Sequence, residues 1–96
     1  MNRYKLSQEE IGDMLEGLQG WTVKDGKLFK KFSFETFPEA FGFMASVATV
    51  AEALDHHPDW FNSYSRVEIS LVSHDIMGLS ERDFILARCI DAFYGN

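Results

Sequence analysis

The chain has 96 residues, 46% of them hydrophobic and nine of them phenylalanine, which is apolar mass for one compact core and one domain over residues 1–96. Nine basic against fifteen acidic residues give a formal charge of -6, which argues against phosphate-backbone binding, so no direct nucleic-acid contact is expected. The single Cys89 cannot form an internal disulfide and reads as a buried thiol, and the longest uncharged run, Ala40 to Ala51, is too short to span a membrane, so a soluble, unexported, cytoplasmic protein is expected.

The first predicted element is a helix from about Ser7 to Leu18. Ser7 and Glu10 make a capping box, in which each side chain satisfies a backbone N–H left unbonded at the helix start. Ile11, Met14, Leu15 and Leu18 recur at the spacing of one helical face, and Gly20 follows as a stop. Trp21 to Lys24 and Leu28 to Phe34 read as strands of a hairpin about Asp25-Gly26, two residues that tolerate the positive φ of a tight turn. Lys24, Lys27, Lys30 and Lys31 alternate with Phe29, Phe32 and Phe34, and read as the wet face of a strand.

Thr36 opens a second helix that runs to about Leu54, with Glu39 completing a capping box and Pro38 tolerated in the first turn. Phe37, Phe41, Met44, Ala48 and Ala51 form one apolar stripe, and Phe43, Val47, Val50 and Leu54 form another. A helix apolar on most of its circumference needs two covers, and a small domain supplies one. The other is expected to be a second subunit or a partner, with Phe43 and Val47 among the contacts.

Trp60 to about Tyr64 and Val67 to Val72 read as a second hairpin, the latter alternating Val67, Ile69 and Leu71 with Glu68 and Ser70. Ser80 and Asp83 make a third capping box ahead of a helix over Phe84 to Phe93, whose most regular stripe is Leu86, Ile90 and Phe93. The order α-β-β-α-β-β-α predicts an α+β fold, a four-stranded antiparallel sheet with helices packed on one face.

The three histidines fall at loop edges, His56 and His57 before Pro58, and His74 before Asp75. Imidazole both gives and takes a proton near neutral pH, and loop edges are where functional side chains concentrate. Pro58 biases His57 toward extended backbone, so the adjacent side chains should diverge and serve different purposes. Adjacent histidines in extended chain are awkward ligands for one ion, and no cysteine or i, i+4 histidine pair completes a set, so no metal site is expected.

Glu52, His56, His57, Pro58, Tyr64, His74 and Asp83 stand in the spacing E-x3-H-H-P-x5-Y-x9-H-x8-D, which resembles the signature of the pterin-4a-carbinolamine dehydratases. The likeness extends through Asp55 to Asn62 and Gly78 to Asp83. It implies an enzyme that dehydrates 4a-hydroxytetrahydropterin to quinonoid dihydropterin, recycling the tetrahydrobiopterin used by aromatic amino acid hydroxylases, with no cofactor. By the same resemblance His56 and His74 act as alternative general acids or bases, and His57 mainly binds and orients. Asp55, Val72 and Ser73 then line the substrate site with the histidines, and Val72 contributes through its backbone only.

Other readings stand beside these. Glu52, four residues before His56, is either a solvated helix-end residue or sets that imidazole's pKa. Trp60 and Tyr64 read as sheet packing, and Asp83 as a structural capping residue. Members of the resembled family also act as dimerisation cofactors of a homeodomain transcription factor. The second helix is therefore compatible with a homodimer or homotetramer, joined there and at the sheet edge, or with a transcription-factor or hydroxylase partner. A nuclear location goes with the coactivator role.

Overall fold

The computed structural model describes residues 4–95. Helix α1 (Gln8–Leu15), strands β1 (Thr22–Lys24) and β2 (Lys27–Ser33), helix α2 (Phe37–Leu54), strands β3 (Asp59–Ser63) and β4 (Arg66–Leu71) and helix α3 (Glu81–Tyr94) follow in that order, with a 3-10 turn at His74–Ile76. The strands form one antiparallel sheet in the order β1-β2-β4-β3, so the fold is the α+β arrangement that the element pattern predicts.

Local signals set the element ends. All three capping boxes form, at Ser7 with Glu10, Thr36 with Glu39, and Ser80 with Asp83. Helix α1 ends at Leu15, ahead of the expected Leu18, because the N–H groups of Glu16, Gly17 and Leu18 bond three residues back and tighten the last turn. Asp25 and Gly26 sit at φ 54° and 78°, and Lys24 pairs with Lys27, which makes the two-residue turn.

The core lies between the helices and one face of the sheet. Leu28, Phe32, Val67, Ile69 and Leu71 meet Phe43, Val47, Phe84, Leu86 and Ile90, all buried. Helix α2 buries Ala40, Phe43, Val47 and Ala51, residues that share one face at the helical period. The two stripes drawn from sequence are thus repartitioned. Phe43 and Val47 belong to the core and not to a partner surface, whereas Phe37 and Phe41 are 45% and 59% exposed.

Three further expectations are corrected. Lys30 pairs with Ile69 across the sheet and so points to the core side, where its ammonium bonds Asp91 Oδ1 and Gln19 O, each at 2.9 Å. Phe93 is largely exposed while Tyr94 turns inward, because its hydroxyl donates to Ser33 O and its ring meets Phe32 and Phe34 edge-on. Cys89 is only partly buried.

Among the described residues no helix is long and apolar enough to cross a membrane.

Candidate active site

Asp55 ends α2 in the left-handed conformation, φ 53° and ψ 45°, and the next N–H, that of His56, bonds back to Ala51 O at 3.0 Å. This reversal swings the chain inward for one residue before the extended backbone at Pro58 leads into β3. The two neighbours consequently diverge. The His56 side chain is 8% exposed and that of His57 is 58% exposed.

His56 rests on a buried polar cluster. Its Nε2–H donates to Asp83 Oδ1 at 2.6 Å, and Asp83 is wholly buried. The other carboxylate oxygen accepts from the Ser80 N–H at 2.9 Å and from Ser73 Oγ at 2.8 Å. Because the Ser73 proton goes to Asp83, the 2.7 Å contact between the two hydroxyls is donated by Ser80. Asp83 therefore caps α3 and orients His56 at once, one oxygen for each, so capping and site support are not alternatives. The hydrogen held on Nε2 leaves His56 Nδ1 for other contacts.

The other two imidazoles have looser carboxylate partners. His57 Nε2 donates to Glu52 Oε1 at 2.9 Å, in solvent. Glu52 thus serves His57 and not His56, because the turn at Asp55 carries His56 away from the helix end. His74 Nε2 approaches Asp59 Oδ2 at 3.4 Å, and the same oxygen accepts from Lys27 Nζ at 3.0 Å. The Lys27 hydrogen bond holds the Asp59 carboxyl below its ordinary pKa, against a partial offset from burial and with further help from His74.

Asp55, His56, His57, Val72, His74, Asp75 and Arg82 line one cleft of about 290 Å³. Five residues predicted from sequence thus converge around it, joined by Asp75 and Arg82. Ser73 is fully buried and spends its side chain on Asp83 and Ser80, so it supports the site from beneath. Trp60 is 36% exposed on edge strand β3. Tyr64, 66% exposed, occupies the turn at the far end of that strand from Asp59, roughly 16 Å along the chain direction at the rise of a strand. Neither ring lines the cleft: Trp60 lies opposite Ile69 and so on the core side of the edge strand, whereas Tyr64 sits in the turn outside the strands.

Sequence reading passed over Asp59, Asp75, Ser80 and Arg82 as site residues. Arg82 carried a usable signal: a cation in the first turn of a helix opposes the helix dipole, which marks a residue held there for another purpose.

A larger open groove, of about 600 Å³, lies between the end of β2, α2 and the end of α3, lined by Phe34, Glu39, Phe43 and Tyr94 among others. It contains no histidine, so its size does not make it the better candidate. Among the described residues no three His, Cys, Asp or Glu side chains converge as a metal site. What the smaller cleft offers is imidazoles of graded exposure around a space for a small polar ring, which suits proton delivery and removal near neutral pH.

Known proteins share this fold. The family profile described as pterin 4 alpha carbinolamine dehydratase matches residues 4–93. A Prochlorococcus marinus (strain MIT 9303) protein, provisionally named as such a dehydratase, is 48% identical over 86 residues, 90% of each chain. A Brucella ovis protein with the same provisional name is 43% identical over 97 residues, covering 99% of this chain and 100% of its own. The crystal structure of a transcriptional coactivator/pterin dehydratase from Brucella melitensis superposes with a TM-score of 0.92 at 42% identity, covering 96% of this chain and 100% of that one. A pterin dehydratase-like protein identified as a RuBisCO assembly factor in the alpha-carboxysome superposes with a TM-score of 0.66 at 25% identity, over 79% of this chain and 88% of its own.

Proposed function

The chain belongs to the pterin 4 alpha carbinolamine dehydratase family, and on that premise we propose that it is a hydro-lyase converting 4a-hydroxytetrahydropterin to quinonoid dihydropterin and water. The observation that carries this reading is the convergence of His56, His57 and His74 on one cleft, each with a carboxylate partner.

The reaction needs a proton on the departing 4a-hydroxyl, cleavage of the C4a–O bond with the N5 lone pair forming N5=C4a, and loss of the N5 proton. One water leaves, the proton count balances, and no atom changes oxidation state, so the chemistry calls on no redox group. His56, with Nε2 tied to Asp83, presents Nδ1 from a fixed ring. His74, whose side chain is 70% exposed, lines the same cleft from the loop after β4. One donates to the hydroxyl and the other takes the N5 proton, the assignment depending on which pterin face carries the hydroxyl. His57 and Asp55 at the rim hold the ring, and Val72 meets it through the backbone. Each positioned acid or base contributes about 10²- to 10⁴-fold. In the cell the product would feed tetrahydrobiopterin recycling in the cytoplasm.

The test is the rate of quinonoid dihydropterin formation from freshly generated substrate. Acceleration by the wild type that is lost in His56→Ala and His74→Ala supports the assignment. Acceleration that survives the double substitution in folded protein would sink it.

A second reading is favoured by the exposed stripe of Phe37 and Phe41 on α2, whose rings lie 6.0 Å apart. We infer that this face, together with edge strand β3, joins copies into a homodimer or homotetramer, or receives a transcription factor or hydroxylase, with nuclear location in the coactivator case. Phe41→Glu should lower the sedimenting mass or abolish partner binding while His74→Ala does neither. An unchanged mass and partner binding for Phe41→Glu count against it.

A further inference from the structure

We infer that Arg82 and Asp75 form a positioning pair that fixes the His74 loop relative to His56, an inference that rests on the dehydratase reading above. Residues 74–77 are closed at their base by a reciprocal bridge, Ser73 N–H to Gly78 O at 2.9 Å and Gly78 N–H to Ser73 O at 3.3 Å. Within this loop the Ile76 and Met77 N–H groups bond Ser73 O and His74 O, each at 3.2 Å, so the segment is a single 3-10 turn. Its outer part is tied down by Asp75, whose Oδ1 accepts from Arg82 Nη2 at 2.8 Å.

Arg82 is itself immobilised. Its side chain is 3% exposed, and its Nε donates to Ser80 Oγ at 3.2 Å, inside the cluster that also holds Asp83. Consecutive residues in the first turn of α3 therefore reach the two catalytic loops: Asp83 holds the His56 ring and Arg82 holds the residue after His74. A helical turn is rigid, so the separation of the two imidazoles is set by α3 and not by either loop. Among the described residues the ring of His74 has only its longer approach to Asp59, so the backbone anchor decides where it works from. The guanidinium suits this task because two nitrogens of one rigid plane, Nε and Nη2, bond Ser80 and Asp75 separately, which an ammonium does not reproduce.

The test uses Asp75→Ala, half-exposed and therefore tolerable to the fold, with Asp75→Glu and Arg82→Lys as conservative companions. Dehydration by Asp75→Ala should fall about 10- to 100-fold in kcat with KM little changed, since misplacement by about 1 Å costs that order of rate. Asp75→Glu should recover part of the loss, and Arg82→Lys should behave like Asp75→Ala. In a His74→Ala background, Asp75→Ala should cost nothing further. An equal additional loss in that background, or no loss in the wild-type background, overturns the pair as a positioning device. A readout independent of turnover is amide hydrogen exchange. The Met77 and Gly78 amides, bonded to His74 O and Ser73 O, should exchange faster in Asp75→Ala while the α3 amides do not. Should the wild type prove inactive on the pterin, unchanged exchange at these amides would still refute the anchor, and faster exchange would uphold it.

Discussion

His56 and Asp83, 27 residues apart in sequence, share a 2.6 Å hydrogen bond from which solvent is almost excluded. The bond fixes the imidazole's rotation and its tautomer together, because a carboxylate accepts and the ring must keep its hydrogen on Nε2.

Asp83→Asn tests that relationship. The amide removes the negative acceptor and offers an N–H toward His56, which favours the other tautomer and disturbs the bonds from Ser73 and Ser80. Dehydration should fall by about 100-fold or more, and the melt should report a loss of about 1–3 kcal/mol. Imidazole ¹⁵N spectra should show the His56 hydrogen moving from Nε2 to Nδ1. An unaltered tautomer with an unaltered rate would contradict the assignment.

Glu52→Gln should act differently, because its partner His57 is at the exposed rim. Steady-state kinetics should show KM raised a few-fold with kcat nearly unchanged, and the melt should not move beyond about 0.5 kcal/mol, as for exposed pairs. A loss confined to kcat would mean that His57 takes part in the proton transfers.

Asp59 sets a pH dependence. Its carboxyl is held below its ordinary value of 3.8, chiefly by the Lys27 hydrogen bond, so protonation favours the unfolded chain. Its stabilising contribution is therefore complete above its ordinary pKa and is lost as pH falls through the lower folded value. Melting temperatures of wild type and Lys27→Met should differ at pH 6 and converge toward pH 2. A difference that persists undiminished at pH 2 would assign the effect to packing of the lysine stem instead.

Lys30→Met probes the inward lysine. Its pair with Asp91 is 12% and 15% exposed, and Asp91 also accepts from Trp21 Nε1. Removing the ammonium leaves a carboxylate with only the indole donor, and equilibrium unfolding should register about 3–5 kcal/mol of destabilisation. The double variant Lys30→Met with Asp91→Leu should recover much of it. Failure of the single substitution to destabilise would place this pair with weak surface bridges.

The parts of the fold that were legible in the sequence have short-range causes. Each capping box joins residues three apart, the Asp25-Gly26 turn depends on two adjacent φ angles, and β4 declares its buried side by alternating Val67, Ile69 and Leu71. Lys30 was misread because side-chain chemistry alone places a lysine outside, whereas its strand position puts it inside, and an acidic partner 61 residues away makes that tolerable. Helix α2 was misread because it is apolar nearly all round, and only contact with the sheet selects the face of Ala40, Phe43, Val47 and Ala51.

By itself the sequence determined the element order, the helix starts, the histidine-bearing loops and the divergence of His56 from His57, since these follow from backbone preference over a few residues. Tertiary structure alone decided which carboxylate serves which imidazole, that Ser73 lies beneath the cleft and not in it, that Tyr64 is remote from it, and that Arg82 reaches Asp75. Those pairings depend on how strands and helices pack across separations of up to 27 residues, and side-chain hydrogen bonds form only where that packing has already brought donor and acceptor within about 3 Å.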